Sequence, residues 1–422
     1  MHLFISLAIF TLSNSFFYLF SWSQIHGIFN TSDIGLFLIA FSLPIAFFRC
    51  REKRILANSV SMLICFQLLY CVFHIFFVVA RFNYSLFNAI VASRSFLYYC
   101  SFFVFLLLID TRKKAVKTLG AMNLLLLLIM ALSVVNYAGP TIFYHEWAAG
   151  HAERADIKRA FIPGMPVMSM MAIWAISCAY TTRHAKLSWN VQSLLYTAAH
   201  VFRQSRMRLF GVLACLLGMG LYQRKFLMTA AALGLIGATS LGLAEIFSVD
   251  ILGKNVELTI TDISKSSGTY EVRRQFIMES MKEFMESPII GTGGSAIRPF
   301  EGAYKGISQR EFQKYLILGK QTDIGILNWI KDFGLIGLAW FVVFFMVLFR
   351  LARHALKNPD EDRRLSLFSA FFLLFVLVTS GTLEHLINSS TIPPVMFISA
   401  LLVRMRLGWR KEEQACPAHL QP

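Results

Sequence analysis

The chain has 422 residues, of which 56% are hydrophobic and only 15% charged, and it carries 40 phenylalanines. That is too little charge to cover a water-soluble domain, and with repeated apolar runs of roughly 20 residues it points to a polytopic membrane protein. The formal net charge of +16 does not mark a nucleic-acid partner, because the basic residues gather in short loops between apolar runs rather than along one soluble face.

The first apolar run, from Leu3 to Phe20, has neither a basic leader nor a small-residue cleavage site, so it reads as a span that is retained. Further spans are expected near 33–48, 56–80, 93–110, 118–138, 165–181, 190–202, 209–222, 226–248, 324–349, 366–386 and 391–404. The expected fold class is therefore all-α and polytopic, with about twelve transmembrane helices. The short loops beginning at Arg49, Arg112, Arg183, Arg224, Arg350 and Arg404 hold most of the loop arginine and lysine, which makes that side cytoplasmic and leaves both termini there. The chain then divides into nine spans over 1–248, an outward-facing loop module over 249–323, three spans over 324–404 and a cytoplasmic tail over 405–422. From Asp250 to Asp323 the loop has ten Lys or Arg and ten Asp or Glu, so it is neutral overall and able to fold locally.

All seven cysteines lie in or beside expected spans or in the tail, so neither a disulfide framework nor a thiolate metal site is indicated. His145, Glu146 and His151 lack the spacing of a zinc-binding helix, and no phosphate-binding or dinucleotide-binding glycine motif is present. No metal or cofactor is expected.

The candidate chemistry sits on the outward side. Between Arg203 and Arg208 three guanidinium groups stand at the outer boundary, against the positive-inside tendency. Either they snorkel to lipid headgroups, or they form an anion site, since arginine forks bind phosphate oxygens in pairs. The segment from Glu271 to Glu286 has Ile277, Met281, Phe284 and Met285 at helical spacing, and places Arg273 and Arg274 near its start, either on a solvated face or toward an anion. Pro288 ends it, and Gly291-Thr292-Gly293-Gly294 makes a turn where backbone can approach a ligand closely. Arg298 follows that turn. Asp323 stands just before the tenth span, as a base for a sugar hydroxyl or as a helix cap. Glu384 and His385 near the outer end of the eleventh span are further ionisable residues, of a kind that is more often structural.

Three segments in this order resemble the O-antigen polymerase and O-antigen ligase superfamily of bacterial inner membranes. They are Gln204-Ser205-Arg206, the arginine-bearing helix ending in Ser287-Pro288-Ile289-Ile290-Gly291-Thr292-Gly293, and Thr322-Asp323-Ile324-Gly325 followed by Gly334-Leu335-Ile336-Gly337. A weaker fourth is Arg159-Ala160-Phe161 before Pro163-Gly164. The resemblance covers roughly 155–340. It implies metal-independent glycosyl transfer at the periplasmic face, from a glycan on undecaprenyl pyrophosphate to a lipid-linked repeat unit or to lipid A core. It also implies a large, partly helical periplasmic loop between spans nine and ten, and in such systems a chain-length regulator is a common partner.

On that resemblance Arg206, Arg203, Arg273 and Arg274 are assigned to the pyrophosphate and Asp323 to the acceptor, with Arg298, Gly291 and Gly293 lining the same site. Ligases tend to carry histidine where this chain has Asp323, so polymerase is favoured over ligase. A transporter of lipid-linked sugars is the reading from a different class, weakened by the unequal halves and by charges collected at one interface. A scaffolding subunit of a polysaccharide assembly complex is the third.

Overall fold

The computed structural model describes residues 1–19, 31–49, 53–82, 86–138, 142–143, 153–154, 157–158, 160–182, 185–203, 205–227, 229–231, 233–234, 269–293, 324–358 and 361–409. Among them the chain is helical apart from turns and one two-residue antiparallel ladder, Glu153–Arg154 with Ile157–Lys158. The helices are α1 (His2–Ser13), α2 (Thr31–Arg49), α3 (Ser59–Phe82), α4 (Leu86–Ser93), α5 (Ser101–Leu108), α6 (Arg112–Ala138), α7 (Met165–Thr181), α8 (Lys186–Phe202), α9 (Arg206–Tyr222), α10 (Thr269–Glu286), α11 (Ile326–Lys357), α12 (Arg363–Thr379) and α13 (Ile392–Leu407). A 3-10 turn, Arg94–Cys100, joins α4 to α5.

Among the described residues, four stretches are long and apolar enough to cross a membrane: Thr31–Phe48, Ser59–Arg81, Arg112–Tyr137 and Ile326–Lys357. His2–Ser13, Arg94–Leu108 and Met165–Thr181 are shorter apolar helices. Their outward faces are greasy. Phe41 and Phe48 on α2, Met62 and Leu69 on α3, and Leu124 on α6 are each mostly exposed, an arrangement that water would penalise and lipid would not.

Two helices form the centre. In α7 every residue from Val167 to Tyr180 is buried, and in α13 every residue from Ile392 to Met405. Proline opens both, Pro166 in one and Pro393 with Pro394 in the other, where the missing N–H leaves no helical bond unmade. Hydroxyls inside the bundle donate back to their own helices. Ser169 reaches Met165 O at 3.0 Å, Ser399 reaches Val395 O at 2.8 Å and Thr379 reaches Phe375 O at 2.7 Å.

Two helices end earlier than their apolar runs. α1 stops at Ser13, where Ser13 Oγ and Asn14 Nδ2 both donate to Phe10 O, at 3.0 and 2.8 Å, and so occupy the carbonyl that would carry the helix on. α12 stops at Thr379 rather than near 386. Ser380 Oγ donates to Val376 O at 2.5 Å, Gly381 follows, and the chain turns through 380–391 before α13. That turn carries Glu384 and His385 out of the helix and onto one end of the bundle.

The ends of the bundle differ in character. At one, Glu361 accepts from Trp409 Nε1 at 3.0 Å and pairs with Arg112 at 3.7 Å, and Arg404 donates Nε and Nη2 to Leu106 O at 2.9 and 2.6 Å. At the other, Arg94 pairs with Asp33 at 2.9 Å, Arg81 donates to Glu286 O at 3.4 Å, and Arg203 lies over the Phe161 ring at 5.3 Å. Loops expected on one side of the membrane thus meet one another. Of the described candidate residues, Arg203 and Gly293 lie at the second end.

Candidate functional site

The site begins with a break in α11. Gly334 sits at φ +62°, ψ −160°, and the turn after α10 docks its backbone into the interruption. Thr292 N donates to Lys331 O at 2.9 Å and Gly293 N to Asp332 O at 2.9 Å, while Leu335 N donates to Pro288 O at 2.9 Å and Ile336 N to Ile289 O at 3.2 Å. A broken helix leaves amides and carbonyls exposed inside apolar surroundings, and this turn satisfies them. Only glycine fits there. A Cβ at Gly291 would lie 2.3 Å from Asp332 O, and one at Gly334 would lie 2.3 Å from Ile289 O. Tyr70 of α3 clamps the join from the side, its hydroxyl 2.9 Å from Ile290 O and 3.1 Å from Phe333 O.

Above the break, the first turns of α11 carry Asn328, Lys331 and Asp332 at helical spacing on one face. Lys331 Nζ stands 3.8 Å from Glu283 Oε2 of α10 and 3.6 Å from Asp332 Oδ1. Asn328 Nδ2 donates to Glu384 Oε1 at 2.5 Å, and Asn388 Nδ2 donates to Glu384 Oε2 at 3.0 Å. Thr391 Oγ1 donates to Glu384 O at 2.8 Å and fixes the loop beneath it. Burial pushes the Glu384 carboxyl up to about 7, with the two amide hydrogen bonds opposing that rise and the Asp332 charge adding to it. A carboxylate at that value titrates near neutrality.

Three arginines lie on the link from α8 to α9 and the first turn of α9. α8 ends at Phe202 and α9 starts at Arg206, and the short link between them holds Arg203, with Ser205 N donating to His200 O at 3.0 Å. Arg203 stacks on Phe161 and also lies near Tyr18. Arg208, two residues into α9, acts electrostatically on His385. That imidazole is buried and bonded to Thr379 Oγ1 at 2.6 Å; burial, reinforced by the Arg208 charge, holds it down at about 3. It is neutral at physiological pH. Glu384 therefore stands against Asn328, Lys331 and Asp332, and the adjacent His385 stands near Arg208.

Of the residues singled out by sequence, Arg203 and Arg206 sit at the head of the α8–α9 link, and Gly291 and Gly293 form the turn docked on α11. Arg273 and Arg274 lie in the second turn of α10, away from its Glu283 end, and their side chains lie outside the described residues. Asp323, Arg298 and Gln204 lie outside the described residues. The structure adds Asn328, Lys331, Asp332 and Glu283, which sequence reasoning passed over. The available signal was three polar residues, Asn328, Lys331 and Asp332, one helical turn apart inside an otherwise apolar run. Among the described residues no group of three His, Cys, Asp or Glu is arranged to hold a metal ion.

No protein-family model matches the chain, and no curated protein matches it.

Proposed function

We propose that the protein is a membrane glycosyltransferase that polymerises oligosaccharide repeat units carried on undecaprenyl pyrophosphate. In this reading about twelve helices span a bacterial inner membrane, both termini are cytoplasmic, and the loop module 249–323 and the Arg203 to Arg208 end of the bundle face the periplasm. The observation that carries it is the docking of the Pro288 to Gly293 turn into the α11 break at Gly334. Two of the segments on which the resemblance rests, about forty residues apart in sequence, here build one structure beside Lys331, Asp332 and Glu283.

The chemistry suits such a cluster. An acceptor hydroxyl oxygen attacks the anomeric carbon of the donor, the bond from that carbon to the pyrophosphate oxygen breaks, and the electron pair leaves with the pyrophosphate. Arg206 and Arg203 stabilise the charge that develops on it, aided by Arg273, Arg274 and Arg298 from the loop module. Asp323, three residues before α11 in sequence, orients the acceptor. The pyrophosphate is a good leaving group, so positioning and charge stabilisation are the main tasks of the protein.

A ligase would use the same donor half of the site and differ in acceptor; the aspartate at 323 favours the polymerase. A transporter of lipid-linked sugars is the alternative from another class. The test is a gel of surface polysaccharide from a deletion strain of the native host, complemented with wild type or Arg206→Ala. Single repeats without a ladder, restored by wild type and not by Arg206→Ala, support the polymerase. Long chains accumulating on the lipid carrier would indicate the ligase, and an unchanged ladder would refute both.

A further inference from the structure

In glycosyl transfer the acceptor hydroxyl must lose its proton as its oxygen bonds to the anomeric carbon. Glu384 is the described carboxylate best built for this. It stands outside the helices, in the turn 380–391, and is only half-buried, so a sugar can reach it. Both of its oxygens are held by side-chain amides, Asn328 on Oε1 at 2.5 Å and Asn388 on Oε2 at 3.0 Å, which fix the plane of the carboxylate while leaving lone pairs to accept a proton. The loop below it is tied down by Thr391.

The groups facing it from the elements packed around it are mixed in sign. α11 presents Lys331 and Asp332, α10 presents Glu283 to Lys331, and the adjacent His385 is neutral and turned to Thr379, with Arg208 of α9 beyond it. Lys331 is engaged by two carboxylates of its own, so it does not neutralise Glu384 by direct pairing. Asp332, by contrast, sits too deep to be the acceptor: it lies at the helix break, its carbonyl bonded to Gly293 N and its carboxylate beside Lys331.

We propose, resting on the glycosyl-transfer reading, that Glu384 is the catalytic base that takes the proton of the acceptor hydroxyl, with Asn328 and Asn388 as its positioning residues. As the new carbon–oxygen bond forms, the proton moves to a Glu384 oxygen and the pyrophosphate departs with the electron pair of the broken bond. Water then returns Glu384 to its ionised form. A base of this kind contributes roughly 10²- to 10⁴-fold to rate. Its value near 7 means that activity rises with pH as the carboxylate ionises through neutrality.

The experiment is a pH profile of glycan elongation by the purified full-length protein in lipid nanodiscs, fed undecaprenyl-pyrophosphate-linked repeat units from the deletion host. Glu384→Gln should lower kcat by about 10²-fold or more with KM for the lipid-linked repeat within about twofold of wild type. Glu384→Asp should keep measurable activity and confirm that the variant site folds. Asn328→Ala removes a donor to the charged form, so its rising limb should move to higher pH. Wild-type activity with an unchanged rate and pH profile in Glu384→Gln would overturn the assignment, as would loss of the limb in Asp323→Asn alone. Absence of elongation by wild type itself would instead count against the glycosyl-transfer reading.

Discussion

Gly291 and Gly334 meet backbone to backbone: a Cβ added to either would lie 2.5 Å from the amide nitrogen of the other. Both have positive φ, +87° and +62°, so each position is closed to a side chain by conformation as well as by space. Gly334→Ala should therefore strain two segments at once and cost about 1–3 kcal/mol or more. Thermal unfolding of the purified protein checks this, and a Tm equal to wild type would show that the join is not what holds α11 in its broken form. Tyr70→Phe removes only the hydroxyl shared between Ile290 O and Phe333 O, and should cost a milder 1 kcal/mol or about that.

Arg206→Ala should leave the protein folded and in the membrane while reducing glycan elongation by about 10²- to 10³-fold, the scale for loss of one group aimed at a developing charge. Arg206→Lys keeps the charge and loses the planar fork, so it should recover only part of the activity. Membrane fractions probed for the protein, alongside the elongation assay, separate failure to accumulate from failure to catalyse.

α10 carries an apolar stripe on its exposed side. Ile277, Met281 and Met285 repeat every four residues, Met278 lies beside them, and Ile289 continues the stripe past the helix end. The opposite face holds Ser280, which is buried, and Glu283, which reaches Lys331. The expected seat of a helix divided in this way is the bilayer interface, with its methionines among the acyl chains. A fluorophore on Met281→Cys or Met285→Cys should be quenched by spin-labelled lipid, and one on Lys282→Cys much less. Equal quenching at all three would contradict an interfacial seat.

Asp362 caps α12, accepting from Arg364 N at 2.9 Å and from Arg364 Nε at 3.0 Å. Despite burial, which acts to raise it, those hydrogen bonds hold its carboxyl below the ordinary 3.8. A depressed folded-state value means stability that is present above the unfolded value and lost as pH falls below it, so Asp362→Asn should narrow the stability gap between pH 7 and pH 3. At neutral pH, Asp362→Ala should cost about 0.5–2 kcal/mol, read as a lower Tm.

The helices were legible because an apolar run in a membrane protein leaves the backbone few alternatives, and described helices lie over the runs near 33–48, 56–80, 118–138 and 165–181. Helix ends were less legible. Ser13-Asn14 and Ser380-Gly381 look unremarkable in a hydropathy window, and their effect depends on side chains reaching carbonyls three or four residues back. At the site, the glycines and arginines stood out by type and place. Lys331 and Asp332 did not, since they lie inside an apolar run and acquire meaning only when α10 delivers Glu283 and the glycine turn to them. Glu384 was visible as an ionisable residue near a helix end, but its two amide partners lie 56 residues before it and 4 after it, and the first of these is set by tertiary structure alone.

The most direct measurement is elongation by the purified protein in lipid nanodiscs, supplied only with undecaprenyl-pyrophosphate-linked repeat units and followed by glycan length and by released undecaprenyl pyrophosphate. The account predicts glycans of two or more repeats, one undecaprenyl pyrophosphate released per bond formed, and both products formed about 10²- to 10³-fold more slowly with Arg206→Ala. Repeat units that remain single and fully lipid-linked with wild-type protein, or that only change leaflet when the protein is placed in sealed vesicles, would contradict it.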